Sequence, residues 1–265
     1  MNKLYLFLWM GMFSGLCMSC DDAASENRSL VNILLVDAPG DFDQVWIEVL
    51  GVEILPAGSR GSAENANWVN IPYQAASNMV RISDLVNEER LLIGRTEIQS
   101  GTVSKIRLLL GSQLYLIQDE NRIDLSTDSD FEEKLEVEIN VNALPGYSYD
   151  IYIDFDLAHS VVNTGDNHFL LDPRVRVFET AATAAIRGSI TPRTVKPHIY
   201  LRSETDTLTT LTGENGGFYL QGIPPNDYQI RIAAPGNYLD TAFNFSVKED
   251  TLLTIPPITL RPQLP

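Results

Sequence analysis

Apolar and polar side chains alternate with a period of two through most of this chain, and each such run predicts a half-buried β-strand. In residues 135–141, Leu135, Val137, Ile139 and Val141 share one face, while Glu136, Glu138 and Asn140 share the other. Residues 149–157 repeat the pattern, with Tyr149, Ile151, Ile153 and Phe155 toward a core and Asp150, Tyr152, Asp154 and Asp156 toward water. Further strands are predicted at 31–36, 45–55, 103–110, 113–118 and 174–178. Gly51, inside the second of these, marks a bulge, because glycine interrupts packing and admits unusual backbone angles. Residues 83–92 read as a short helix, with Ser83 as its N-cap, acids early, Arg90 late and Gly94 beyond its end.

The second half of the chain has shorter runs, at 187–190, 198–203, 207–212, 217–220, 228–233, 242–247 and 251–260, separated by Gly, Pro and Asn. Short strands with such punctuation fit a small antiparallel sandwich. The predicted class is therefore all-β: two antiparallel β-sandwiches in tandem, with little helix. The boundary falls at residues 181–185, where the charge balance also changes. From Asp21 to Thr180 there are 28 Asp plus Glu against 11 Lys plus Arg, whereas from Ala181 to Pro265 there are 7 of each.

The first twenty residues have a different character. Lys3 precedes an apolar stretch from Leu4 to Leu16, too short to span a bilayer and fitting a cleaved signal. The stretch closes on Cys17-Met-Ser-Cys20. This junction resembles a bacterial lipoprotein signal, in which a small residue, here Ser19, precedes the cysteine that becomes the lipid-bearing N-terminus. The resemblance implies that Cys20 carries the lipid. Cys17 is the poorer candidate because bulky Leu16 precedes it. The chain departs from the usual box in placing Cys17 where Leu is commonest. A redox role for the two cysteines would need a folded thioredoxin-like context, which a leader does not provide. With Cys17 removed and Cys20 acylated, no thiol is left to form a disulfide, so the buried core must carry the stability.

The expected division is then a signal peptide at 1–19, a lipidated tether at 20–29, a first sandwich at 30–180 and a second at 184–262. The acidic start of the tether, Asp21-Asp22, resembles the signal that sends some lipoproteins to the outer face of the outer membrane; a periplasm-facing chain is the alternative. The net charge of −16 argues against nucleic acid as a partner, since phosphate binding needs clustered Lys and Arg. A composition of 44% hydrophobic and 20% charged residues fits a globular body beyond the leader.

Two family resemblances follow. Residues 212–232 place Gly216 and Gly217 in a turn, alternate Phe218 and Leu220 with Tyr219, bend at Ile223-Pro-Pro225 and resume at Tyr228. This resembles the carboxypeptidase regulatory-like, or prealbumin-like, domain, although Asn226-Asp227 stands where that family usually has Gly. The resemblance implies a fold and no chemistry. Residues 35–45, 101–111, 149–157 and 171–177 resemble a family of bacterial lipoproteins known only as domain of unknown function 4382. That family implies a β-rich domain and supplies no activity.

Candidate chemistry is sparse. Asp37, Asp41 and Asp43 place three carboxylates in seven residues, and either supply part of a calcium shell or bond the backbone of a Pro-Gly turn. A second acidic group, Asp124, Asp128, Asp130, Glu132 and Glu133, lacks the Gly and Glu positions of an EF-hand and reads as a solvated loop. Asp154 and Asp156 share a strand face with His159 just beyond, a spacing compatible with the paired carboxylates of glycoside hydrolysis. The motifs GxSxG, HExxH, GxGxxG and the P-loop are absent. Trp46, Trp68, Tyr152 and Tyr219 are the aromatic candidates for a ligand platform, with Tyr200 and Tyr238 behind them; the alternative is that these rings fill cores. The expectation is a non-catalytic binding module for carbohydrate or an extracellular protein, held to a membrane by its N-terminal lipid. The alternatives are a structural or assembly component, such as a spacer or fimbria-like subunit, and a glycan-acting hydrolase.

Overall fold

A computed structural model of the chain describes residues 27–263, apart from 39, 41, 58–66, 87, 129–130 and 132. The leader, Cys20, Asp41, Asp130 and Glu132 lie outside the described residues.

The first unit is built from β1 (Arg28–Ala38), β2 (Gln44–Pro56), β3 (Val69–Ile71), β4 (Met79–Arg81), β5 (Leu91–Gln99), β6 (Gly101–Gln118), β7 (Asn121–Asp124), β8 (Ser126–Thr127), β9 (Lys134–Ala143), β10 (Ser148–Asp156), β11 (Val161–Gly165), β12 (His168–Leu171) and β13 (Val175–Glu179). One helical turn, α1 (Leu157–Ser160), joins β10 to β11. One sheet has the order β13-β10-β1-β5; a second runs β3-β2-β6-β7, with β4 also on β2 and β9 also on β6. Their inner faces share one core, which includes Val31, Ile33 and Leu35 of β1, Ile47 of β2, Leu108 of β6 and Phe155 of β10. Most pairs are antiparallel, but β1 and β10 run parallel, Leu30 opposite Ser148 through Ala38 opposite Asp156.

The second unit comprises β14 (Ala184–Thr191), β15 (His198–Arg202), β16 (Thr207–Leu211), β17 (Gly217–Ile223), β18 (Asn226–Ala233), β19 (Thr241–Val247), β20 (Leu252–Thr254) and β21 (Ile258–Thr259). Its sheets, β17-β14-β20 with β21 on β14, and β16-β15-β18-β19, enclose a separate core that includes Ile186, Ile199, Phe218, Ile230 and Ile232. Tyr228 anchors the proline turn by donating its hydroxyl hydrogen to Pro224 O at 3.0 Å.

The register of β2 against β6 shifts between Val49 and Gly51, so the bulge read from Gly51 is present. Three expectations are corrected. Residues 103–110 and 113–118 form one continuous strand, β6, because β2 pairs with both stretches across its bulge, Val49 opposite Leu110 and Ile47 opposite Leu114. The run at 251–260 divides into β20 and β21 around Ile255-Pro256-Pro257, whose prolines donate no ladder hydrogen bond. The helix at 83–92 does not form: Ile82–Asp84 is one 3₁₀ turn, and Leu91 and Leu92 begin β5. Ser83, read as an N-cap, instead accepts a hydrogen bond on its Oγ from Val45 N at 3.1 Å. Tertiary contacts thus override a short local helix signal.

The two units meet across the outer face of β13-β10-β1. Along β1 the burial alternates up to Ile33, and from Leu34 to Asp37 every residue is buried. Leu34, Val36, Tyr152 and Phe178 form a third apolar cluster there, with Leu92 beside it. Tyr152 stacks on Phe178 with ring centres 5.3 Å apart and planes 4° from parallel. The Phe178 ring presses on Gly222 of β17, which has φ of +63° and no room for a Cβ. Gly222→Ala is accordingly expected to destabilise the protein by about 2–4 kcal/mol, from left-handed backbone strain and overpacking together. Chemical denaturation checks this, and an unchanged midpoint would show that the ring has space to move.

Candidate functional site

Arg176 on β13 is the polar centre of the junction. Its Nη2 donates to Asp154 Oδ2 at 2.7 Å and to Gln221 O at 3.0 Å, and its Nη1 donates to Gly222 O at 2.8 Å. One guanidinium thus ties a carboxylate of the first unit to two backbone carbonyls of the second, in the planar geometry that arginine provides. The same guanidinium lies 4.5 Å from the centre of the Phe178 ring.

Asp154 and Asp156 do not stand on a wet face, because the second unit covers that side of β10. Asp154 is buried against Arg176. Asp156 caps α1, accepting from His159 N at 3.2 Å and lying 2.7 Å from His159 Nδ1. Burial pushes the Asp156 carboxyl up, and its contacts with His159 oppose that shift. Each of the two carboxylates is therefore engaged by a side chain of the protein itself. They border a groove of about 430 Å³ between the units, which is also lined by Glu138, Arg174, Arg176 and Asp206.

Asp37 lies behind this pair at the end of β1. It is buried, its Oδ1 accepts from Leu157 N at 3.3 Å, and its Oδ2 has no hydrogen-bond partner among the described residues. Burial, then the neighbouring Asp154, and more weakly Asp156, raise its carboxyl well above the ordinary range, against the opposing pull of the Leu157 amide. Asp43 faces elsewhere: its Oδ2 accepts from Asp119 N at 2.9 Å at the turn between β6 and β7. The two described members of the proposed calcium trio thus take separate partners. Among the described residues no group of three His, Cys, Asp or Glu side chains is placed to hold a metal ion.

The candidate aromatic platforms divide three ways. Trp46 stacks on Tyr115 at 5.9 Å and has Arg81 5.6 Å from its ring centre, while Trp68 is covered by Arg107 at 3.8 Å. Arg107 also pairs with Glu53 at 2.8 Å and with Glu136, forming a charged ladder on the outer face of the second sheet. Tyr152 is buried inside the junction, where its hydroxyl accepts from Arg90 Nη1 at 3.4 Å. Tyr219 alone is half-buried in an open groove, of about 450 Å³, with Glu88, Glu89, Arg90, Arg187, Gln221 and Leu252 around it. Burial, Glu88 and Tyr152 push the Tyr219 hydroxyl up.

Arg176, Phe178 and Gly222, the residues that make the junction, escape sequence reasoning. The signal that could have found them is the unbroken apolar run Ile33-Leu-Leu-Val36, which departs from alternation where the strand is covered on both faces.

Comparison with solved structures finds all-β bacterial proteins at low similarity. The shaft pilin SpaA of Lactobacillus rhamnosus GG aligns with 10% identity and a TM-score of 0.26, over 90% of this chain and 99% of that one. BcpA, the major pilin subunit of Bacillus cereus, aligns with 8% identity and a TM-score of 0.25, over 89% of this chain and 71% of that one. The Bacillus anthracis TIE protein aligns with 10% identity and a TM-score of 0.25, over 87% of this chain, which spans only 33% of that protein. No curated protein matches the chain. A family model described as a domain of unknown function, DUF4382, matches residues 28–173, more than half of the sequence. The chain belongs to the DUF4382 family.

Proposed function

We propose that this protein is a non-catalytic structural component of a bacterial cell envelope: a stiff two-domain spacer, anchored by lipid on Cys20 and holding its second sandwich away from the membrane. The observation that carries this reading is the junction at Arg176, Phe178 and Gly222. A side chain hydrogen-bonded to both units, beside an apolar cluster, resists the independent motion expected of domains joined only by a linker. The direction of β1 adds to it. The chain joins the fold at Arg28, whereas the second unit seats against the stretch from Leu34 to Asp37, roughly 20–30 Å along the strand. The anchored end and the displayed unit, which we read as carboxypeptidase regulatory-like, thus lie at opposite ends. The edge strand β19, paired among the described residues only with β18, offers a side on which a partner strand could add.

The test is made in the native host. Metabolic labelling with an alkynyl fatty acid is expected to mark the parent chain and to leave Cys20→Ala unmarked and unprocessed. A photo-crosslinking residue at Phe243 on β19 is expected to capture neighbouring envelope protein on intact cells. Normal lipid labelling of the Cys20 variant would refute the anchor, and absence of any adduct would remove the assembly role.

A second reading, glycan binding, is favoured by the Tyr219 groove, where a half-buried ring is surrounded by planar polar side chains. Calorimetry of the soluble fragment starting at Asp21 against a glycan panel should then show saturable binding. Tyr219→Ala should weaken it about tenfold, the equivalent of one lost ring contact of about 1.4 kcal/mol. No binding across the panel would eliminate this reading.

A further inference from the structure

The turn from Leu144 to Tyr147, between β9 and β10, stands where the chain joins the fold. Four hydrogen bonds fix it there. Leu30 N donates to Tyr147 O at 2.9 Å, Gly146 N donates to Arg28 O at 2.8 Å, Ser29 Oγ donates to Leu144 O at 2.7 Å, and Leu144 N donates to Tyr149 Oη at 2.9 Å. The same turn holds apolar side chains outward. Tyr147 is 63% exposed, the most of any large hydrophobic side chain among the described residues, and Leu144 is 47% exposed. Pro145 between them is exposed as well, and so is the Arg28 side chain at the start of β1.

A rigid turn that presents Leu, Pro and Tyr to water incurs a hydration cost with no return inside the fold, since none of these side chains belongs to a core cluster. The length of chain before it says what lies nearby. Residues 21–27 separate Cys20 from Arg28, a contour of at most about 25 Å. An acyl group on Cys20 therefore keeps this end of the first unit within reach of the lipid surface. The second unit is seated at the far end of β1, roughly 20–30 Å farther along the strand.

We propose that Leu144 and Tyr147 form a membrane-seating patch that enters the headgroup region of the phospholipid leaflet holding the lipid on Cys20. This rests on the anchor reading above. Tyrosine suits such a position because its ring is apolar and its hydroxyl stays wet, the property that enriches it at membrane interfaces. Two apolar side chains alone bind a bilayer weakly. Tethered by an acyl chain they act at high local concentration, and one lipid chain with a second contact holds where a single chain is marginal. The excess of acidic residues in the first unit directs the patch to zwitterionic rather than anionic headgroups. Seating at this turn would orient the spacer as well as retain it.

The test uses the full-length, host-processed protein carrying Tyr147→Trp, reconstituted into phosphatidylcholine vesicles whose acyl chains are plain or brominated close to the headgroup. The added tryptophan emission is expected to be blue-shifted, and mostly quenched in the brominated vesicles, while the parent protein with Trp46 and Trp68 is quenched little. Leu144→Asp in the same background should restore most of the emission. If mass spectrometry finds no acyl group and the protein does not join vesicles, the anchor and the patch fail together. If the protein is acylated and vesicle-bound but its added emission is the same in both vesicle types, the patch alone is overturned. A shift that follows protein density rather than bromine would assign the turn to a second copy of the chain, which also overturns the proposal.

Discussion

Arg176→Ala is expected to destabilise the protein by about 3 kcal/mol and to divide its unfolding into two transitions. The substitution removes three hydrogen bonds, to Asp154, Gln221 and Gly222, and deprives the largely buried Asp154 carboxylate, beside Asp37, of its ion-pair partner. Breaking one side of a buried ion pair typically costs about 3–5 kcal/mol, and the partial exposure of Arg176 sets the expectation at the lower end. The loss falls on the junction rather than on either core, so each sandwich keeps its own apolar cluster and melts separately. Arg176→Lys should be intermediate, since an ammonium keeps the charge but cannot serve Asp154 and both carbonyls with one planar fork. Calorimetry checks the result. A single transition at the parent temperature would mean that the guanidinium contributes nothing to holding the units together.

Asp37→Asn is expected to stabilise the protein at neutral and alkaline pH and to have little effect near pH 4. Burial and the neighbouring Asp154 and Asp156 raise the folded-state value of Asp37, so the folded protein holds its proton over a range where the unfolded chain has lost it. Stability from this group is complete below the ordinary carboxylate value and is lost as pH rises from about 4 through the raised value. Asparagine keeps the oxygen that accepts from Leu157 N and carries no charge at any pH. The variant should therefore flatten the alkaline side of the stability profile, with a melting-temperature gain that grows with pH. A variant whose curve runs parallel to the parent's at every pH would show that Asp37 titrates normally.

Strand positions were legible because one face of each strand is wet, as in β9, where Glu136 and Glu138 alternate with Leu135 and Val137. Strand partners were less so. The parallel pairing of β1 with β10 joins residues more than a hundred positions apart, and no local pattern encodes such a contact. The same pairing hid the junction. Asp154 and Tyr152 look solvated when β10 is read alone; Phe178 of β13 stacks on Tyr152, and Arg176, held by the Gln221 and Gly222 carbonyls of the second unit, covers Asp154. The aromatic candidates divided for a related reason. Trp46 and Trp68 do lie on a wet face, but Arg81, directly opposite Trp46 on β4, and Arg107 on β6 occupy their rings, a pairing that residue type alone does not specify. Glycine carried information that reading by alternation overlooked. Gly111 marks close approach to Glu48, and Gly222 marks the seat of Phe178.

The stiffness of the junction is the claim on which the spacer reading stands, and a distance measurement tests it most directly. The fragment starting at Asp21 contains no cysteine, so single cysteines introduced at Glu97 on β5 and at the exposed Lys248 carry two spin labels without ambiguity. Double electron–electron resonance should return one narrow distance distribution between the labels, and the same labels with Arg176→Ala should return a broad one. A broad or multi-peaked distribution in the otherwise unaltered protein would contradict the account, because the two sandwiches would then be swinging on a loose hinge.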